Sequence, residues 1–411
     1  ESITAKRGVG YHAAGGSDAI AGPKLTAKDD VTISGFSSAL RFGSSKGASA
    51  DLSGRTKIDL SQFGIYAGGS GSLAYTDLAV TFTDDAGIDS CDRGVFMDLR
   101  EAASGPAANV TFSGDSYIDN ATSGPAYEDY ASGTNLTLSD NARFSNGQSQ
   151  GVYVRRASDI PYYTAGTITL TDQATISGYK NNGIYITDYT ERLSDYDIVM
   201  TGSASISDNG QNGVRLDQGP TLSMGPGTSI LRNNQGGTIT KGMSIWTKGA
   251  LFIDANAEID DETYLAYEGN IITLTNELGT PIDELSAGKF KLAYIQAFVG
   301  HRVVGPDAAR GVADATDYYD LYQTTDNIPR DYGIVHGTDA DETYIVVIPG
   351  RDVYIAGNNS YGAAAEGDDA NNGASPSTPV RTFARALEIL KTREKGGDIY
   401  ICNYMVEPYL A

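Results

Sequence analysis

One phrase is repeated between Asn135 and Ile239, and no other feature of the chain constrains its fold as much. It reads Leu136-Thr137-Leu138, Ala142-Arg143-Phe144-Ser145-Asn146, Gly151-Val152-Tyr153-Val154. It returns as Ile168-Thr169-Leu170, Ala174-Thr175-Ile176-Ser177-Gly178, Gly183-Ile184-Tyr185-Ile186, and again as Ile198-Val199-Met200, Ala204-Ser205-Ile206-Ser207-Asp208-Asn209, Gly213-Val214-Arg215-Leu216. A looser fourth version runs through Leu222-Ser223-Met224, Thr228-Ser229-Ile230, Asn233 and Gly237-Thr238-Ile239. Each version holds three short runs in which apolar and polar residues alternate, with glycine, asparagine or aspartate at the joins. That pattern predicts three short strands separated by tight turns.

The period is uneven: 32 residues from Leu138 to Leu170, 30 from Leu170 to Met200 and 24 from Met200 to Met224. A strand trio that recurs while its connections vary in length fits a solenoid, with one coil per repeat and insertions confined to loops. A single coil cannot bury its apolar residues, but stacked coils can. Leu136, Leu138, Ile168, Leu170, Ile198, Met200, Leu222 and Met224 are expected to form inward columns, with Thr137, Thr169, Val199 and Ser223 facing out.

Outside the centre the phrase is fainter. It begins at Leu25, strengthens at Lys57-Ile58-Asp59-Leu60, and ends with Ile271-Ile272-Thr273-Leu274. Residues 1–24 therefore read as a leader or incomplete first coil, and 25–278 as about eight or nine coils. Residues 279–349, with runs at 287–294 and 344–348, read as a β-rich region that caps an otherwise unpaired end. Residues 350–411 read as a new start: a strand at Asp352–Ile355, a turn, and an amphipathic helix with Phe383, Ala386, Leu387 and Leu390 on one face and Thr382 as N-cap. The longer connections, 67–75, 155–166 and 187–195, are expected on one side of the coil, where binding loops usually sit.

Composition excludes several classes. Glycine at 49 and tyrosine at 26 against 13 prolines favour a turn-rich β protein over disorder. With 52 acidic to 30 basic residues the net charge is -22, which does not suit a phosphate backbone, so no nucleic acid partner is expected. No run approaches the roughly 18 apolar residues of a membrane span, so no membrane insertion is expected. Cys91 and Cys402 are too far apart in sequence to read as a disulfide framework.

The phrase apolar-Thr-apolar, Ala-x-Ile-Ser-x-Asn, Gly-apolar-Tyr-apolar resembles the right-handed parallel β-helix repeats of large surface proteins of Gram-positive, often gut, bacteria, over roughly residues 25–278. The stretch from Gly367 to Cys402, with Gly-Asp-Asp, Asn-Asn-Gly, Ser-Pro-Ser-Thr-Pro-Val-Arg-Thr-Phe and Ala-Leu, is similar to the entry of a further pectate-lyase-like β-helix, whose helix caps the first coil. The resemblance implies an all-β, right-handed parallel β-helix, an extracellular place on the bacterial cell wall, and a monomeric piece of a longer multi-unit chain.

The same fold hosts polysaccharide lyases and glycoside hydrolases, whose chemistry needs two or three carboxylates on neighbouring coils in an open groove. Asp84-Asp85, just past the strand Val80 to Phe82, stands in the right kind of place and is the catalytic candidate if the chain is an enzyme. It lacks the accompanying patterns: Gly300-His301-Arg302 and Arg393-Glu394-Lys395 both lie outside the repeat. Asp188 lies just past another strand, but Arg156 and Gln218 occupy the matching positions on the flanking coils. His12, His301 and His336 are scattered, so no zinc site is expected. Asp368, Asp369, Asn371 and Asn372 bring oxygen ligands close together, as a calcium loop or simply as a turn. No cofactor is expected, and calcium at this loop is the one that the sequence leaves open.

A different array is not catalytic. In the third run of each coil the middle residue should face outward, and that position is Tyr66, Phe96, Tyr153, Tyr185 and then Arg215. Stacked at the strand spacing of about 4.8 Å, these residues would form an aromatic stripe suited to sugar rings, although aromatic residues also stack on strands for stability alone. Asn120, Asn146, Asn209 and Asn233 are expected to form a hydrogen-bonded ladder at the turns. The sequence thus suggests a non-catalytic surface adhesin or stalk module that binds host or dietary glycans or a surface protein. A carbohydrate-active enzyme is the alternative, and a structural spacer the third reading.

Overall fold

The computed structural model describes residues 2–4, 9–13, 22–43, 47–68, 77–98, 108–130, 133–155, 165–187, 196–217, 219–233, 243–266, 270–294, 302–324, 332–336, 344–349, 353–357, 367–371, 373, 379–391 and 399–401. Each copy of the phrase closes one coil of a right-handed parallel β-helix, and successive coils pair strand on strand. Three sheets result, A, B and C, of 10, 12 and 13 strands. The chain passes through them in that order in each of the first ten coils. In the sixth coil, for example, the strands are Arg143–Ser145 in A, Val152–Arg155 in B and Thr167–Leu170 in C.

Strict alternation makes the coils stack in register. Leu138 pairs with Leu170, Leu170 with Met200 and Met200 with Met224, while Leu136, Ile168, Ile198 and Leu222 form the neighbouring column. All eight are buried. Burying side chains of this size stabilises by about 1.5–3 kcal/mol each, and every coil supplies the floor for the next. Within the interior, Phe82 and Phe112 stack face to face with ring centres 4.5 Å apart, and Phe144 meets Phe112 edge-on at 5.0 Å.

The corners explain the polar residues at the joins. Between sheets C and A the chain turns through a left-handed residue, Asp29, Gly54, Asp84, Gly114, Asp140, Asp172 or Gly202, with φ between 55° and 67°. Aspartate and glycine tolerate this conformation best. The aspartates also tie coils together: Asp84 accepts the Gly54 N–H at 3.1 Å and Asp140 accepts that of Gly114 at 3.0 Å.

The asparagine ladder between sheets A and B takes two forms. Asn209 donates to Asn233 Oδ1 at 3.0 Å and accepts the Tyr179 N–H at 3.1 Å, all buried. Asn120 and Asn146 instead take left-handed turns and donate to Asp89 and Asp119 of the preceding coils. Asn209→Ala is expected to cost about 1–3 kcal/mol, because it strands the buried Tyr179 N–H, while Asn233 Oδ1 keeps only its bond from the residue 209 backbone N–H. Urea unfolding followed by circular dichroism measures the loss.

The helix extends past the faint ends of the repeat. Ser2–Thr4 and Val9–Ala13 pair with the second coil's strands Thr32–Ser34 and Ser38–Phe42, so the 1–24 segment supplies strands of a first coil. At the other end Phe290–Tyr294 adds to sheet B and Arg302–Pro306 to sheet C, both in parallel. Sheet C then changes direction: Ile345–Pro349 runs antiparallel to Arg302–Pro306 and to Tyr332–His336, which ends the stacking on that side. The region 279–349 therefore continues two of the sheets before it caps one of them.

Val353–Ile355 and Ile399–Ile401 form a separate two-stranded parallel sheet. The helix Phe383–Lys391 buries Ala386 against Val353, Ile355 and Val380. Thr382 caps it as expected, its Oγ1 accepting the Arg385 N–H at 3.1 Å. Among the described residues no helix is long and apolar enough to cross a membrane.

Candidate binding face

The outward side of sheet B concentrates aromatic and cationic residues. One column, read in register from coil two to coil ten, is Arg41, Tyr66, Phe96, Glu128, Tyr153, Tyr185, Arg215, Trp246 and Tyr264. The five residues singled out from the sequence all lie in this column. The expectation of an unbroken aromatic run does not hold, because Glu128 stands between Phe96 and Tyr153.

The rings therefore fall into groups. Tyr66 and Phe96 lie 5.4 Å apart, Tyr153 and Tyr185 stack at 5.3 Å, and Trp246 and Tyr264 at 6.5 Å. Phe96 is only 6% exposed, since Phe63, Tyr66 and Tyr130 pack around it and the Arg93 guanidinium lies 5.5 Å from its ring. It is a floor of the face rather than a contact surface. Tyr66, Tyr153, Tyr185 and Trp246 are half-buried.

Cations lie over the rings: Arg41 over Tyr66 at 5.2 Å, Arg155 over Tyr130 at 4.2 Å, Arg215 over Tyr185 at 5.0 Å and over Trp246 at 4.8 Å, and Lys248 over Trp246 at 5.7 Å. The ring quadrupole attracts each cation and holds its long side chain across the face. Arg215 is fixed further by Asp217, at 3.1 Å, and Asp217 also accepts the Tyr185 hydroxyl at 2.6 Å. Burial, with that hydrogen bond to a carboxylate, pushes the Tyr185 hydroxyl up to about 12.

Glu128 is the centre of the array. Its side chain is 2% exposed, and Arg93 and Arg155 meet its two carboxylate oxygens at 2.9 and 3.0 Å. Arg155 also donates to the Tyr130 hydroxyl. Desolvation raises the Glu128 pKa above its ordinary value, and the two guanidiniums pull it back without cancelling the rise. A carboxyl raised by folding binds its proton more tightly in the folded state, so its contribution to stability is fully present below the ordinary carboxyl range and is lost as pH rises through the raised pKa. Glu128→Gln is expected to remove this decline above the ordinary glutamate range, visible as a flatter plot of unfolding midpoint against pH than wild type gives.

The other candidates lie elsewhere. Asp84 sits in the left-handed turn between sheets C and A with its carboxylate on the Gly54 N–H, and Asp85 is exposed beside Arg55. Asp369 is committed to the helix start, accepting the N–H groups of Arg381 and Thr382 at 2.9 and 2.8 Å and the Thr382 hydroxyl at 2.9 Å. Desolvation alone would raise its pKa, but these hydrogen bonds outweigh it and hold the carboxyl below its ordinary value. Asp368 accepts the Ala370 N–H and Asn371 donates to the Pro379 carbonyl, as in a turn. Asn372, Asp188, His301, Cys402 and the Arg393 to Lys395 run lie outside the described residues. Among the described residues no group of three or more histidine, cysteine or acidic side chains is placed to hold a metal ion.

The connections 69–76, 156–164 and 188–195 lie outside the described residues, but what flanks them is clear. Each follows a sheet B strand, Phe63–Gly68, Val152–Arg155 or Ile184–Thr187, and precedes a sheet C strand. The described strands that flank all three meet at the corner between sheets B and C, which borders the aromatic and cationic face.

The fold and this face define a parallel β-helix of the solenoid class with an outward face of rings and guanidiniums. No family model matches the chain, and a search of curated proteins finds no match either.

Proposed function

We propose that the chain is a non-catalytic module of an extracellular bacterial surface protein, an adhesin or stalk unit, that binds glycans along the outward face of sheet B. The observation that carries this reading is the row of half-buried rings, Tyr66, Tyr153, Tyr185 and Trp246, interleaved with arginines on a rigid ladder. Flat rings accept the apolar faces of sugars, and guanidiniums fixed beside them present donors to hydroxyl and acidic groups. A scaffold with strands in fixed register holds these groups without further ordering on binding, which favours affinity.

One observation favours the rival reading, cleavage. Glu128 is a buried carboxyl with a raised pKa at the middle of the same face, the kind of perturbed group that general acids provide. Its two arginine partners give it an equally complete structural role in locking the face.

A glycan array, read for retention and by mass spectrometry for cleavage, separates the readings. Retention without cleavage is expected, with affinity falling at least about tenfold in Tyr153→Ala with Tyr185→Ala, as the loss of two stacking rings implies. Cleaved glycans that disappear in Glu128→Gln would replace this reading with an enzyme. Silence in both channels would leave a spacer or a protein-binding module.

A further inference from the structure

At the middle of the face two cations share one carboxylate. Counting coils by their sheet B strands, with Val9–Ala13 as the first, Arg93 lies on coil four, Glu128 on coil five and Arg155 on coil six. Strands two coils apart are separated by roughly 10 Å, and both long side chains lean across that gap to meet Glu128 at 2.9 and 3.0 Å. Arg55, Arg215 and Arg232, by contrast, each meet a carboxylate of their own: Asp30 at 2.6 Å, Asp217 at 3.1 Å and Asp208 at 2.8 Å. The group at coil five therefore carries 2 - 1 = +1, in a chain whose net charge is -22. Asp98, the next acid to act on Glu128, acts more weakly than either arginine.

The excess charge lies on the solvent side. Glu128 is 2% exposed, while the Arg93 and Arg155 side chains are 36% and 35% exposed, so the carboxylate is the floor and the guanidiniums form the rim. Rings hold that rim in place: the Arg93 guanidinium lies 5.5 Å from the ring centres of Phe63 and Phe96, and that of Arg155 lies 4.2 Å from Tyr130 and 5.6 Å from Tyr153. Beyond Glu128 and the Tyr130 hydroxyl, neither guanidinium has another hydrogen bond or ion pair among the described residues. Each has more N–H donors than these contacts use. Two sets of spare donors thus stand side by side, already ordered before a ligand arrives.

We infer that Arg93 and Arg155 together seat a single carboxylate of the ligand, so that the glycan along sheet B carries an acidic sugar over coil five. Its neutral sugars then lie on the rings to either side, Tyr66 towards one end and Tyr153 and Tyr185 towards the other. This assignment rests on the glycan-binding reading and gives it a specificity. The planar fork of arginine matches a carboxylate through two parallel hydrogen bonds, and such charge-assisted bonds are about twice as strong as neutral ones. A neutral sugar over coil five leaves the local positive charge unanswered.

The test is calorimetric titration of the whole chain with two oligosaccharides that differ in one group: a short N-acetylhexosamine oligomer carrying one glucuronic acid, and the same molecule with glucose in its place. The acidic member is expected to bind at least about tenfold more tightly, by a margin that shrinks as salt is raised. Arg93→Gln, Glu128→Gln and Arg155→Gln combined leave no buried charge unpaired, and should bring the two ligands within about twofold of each other while the circular dichroism spectrum stays unchanged. Arg55→Gln, which removes a cation outside this face, should leave the margin in place. Equal binding of the two ligands by the unaltered chain overturns the inference and leaves glycan binding standing, as does a margin that survives the triple replacement. Binding of neither ligand also overturns the inference, and together with a silent glycan array it overturns the glycan-binding reading as well.

Discussion

Phe112→Ala is expected to destabilise the β-helix by about 3–5 kcal/mol, the range for deleting a buried aromatic ring. Phe112 stacks on Phe82 of the coil before and meets Phe144 on the sheet A strand of coil six, with all three rings fully buried. Removing the middle ring opens a cavity that neither neighbour fills, because Phe82 and Phe144 belong to strands held in register by their own ladders. Urea unfolding followed by circular dichroism measures the change. Phe112→Leu, which keeps most of the volume, should cost less than about 1.5 kcal/mol. If both variants lose the same amount, filled volume is not what Phe112 supplies and the cavity account fails.

Gly183→Val is the second large effect, and it arises from crowding. A β-carbon at Gly183 would lie 2.5 Å from Ile206 Cγ2 and 2.7 Å from the Gly213 carbonyl oxygen of the next coil. The backbone cannot back away, since the Ile184 N–H donates to that same Gly213 carbonyl at 2.9 Å. From coil two to coil nine the equivalent places are held by Gly64, Gly94, Gly151 and Gly213, and otherwise by Ala39, Ala126 and Ser244; a large residue, Glu262, first takes this place in coil ten. Valine is expected to cost about 3 kcal/mol or more, the upper end for overpacking, and alanine clearly less. The two thermal midpoints, compared with wild type, report the difference.

The repeat made the coil legible because alternation fixes which side of a strand is buried. Leu136, Leu138, Ile168 and Leu170 could be placed inward, and Tyr66, Tyr153 and Tyr185 outward, by counting alone. What alternation does not encode is the pairing between distant strands. Phe290–Tyr294 reads locally as a strand, yet nothing in its own residues says that it adds to Glu262–Leu265.

The same limit hid half of the binding face. Glu128 occupies the outward column on a coil that reads Ala126-Tyr127-Glu128-Asp129, where the glycine-apolar-tyrosine signature is absent. Trp246 lies past Gly237-Thr238-Ile239, which the sequence offers as the third run and which falls outside the described residues, whereas the sheet B strand is Ile245–Thr247. Arg41 was visible beside Leu40 and Phe42, but its role depends on lying over Tyr66 of the next coil. Asp84 and Asp85 drew attention as paired acids. The backbone conformation that makes Asp84 a turn residue is a property of the fold, which adjacency in sequence does not reveal.

Trp246 offers the most direct test of the claim that sheet B is the binding face. It is the single tryptophan of the chain, half-buried in the outward column with Arg215 and Lys248 over its ring. Its fluorescence, titrated with the oligosaccharide that the array retains, should change saturably, with a midpoint that moves to higher concentration in Tyr153→Ala with Tyr185→Ala. Emission that stays constant while calorimetry shows the same ligand binding to saturation would place that ligand elsewhere on the protein and contradict the account.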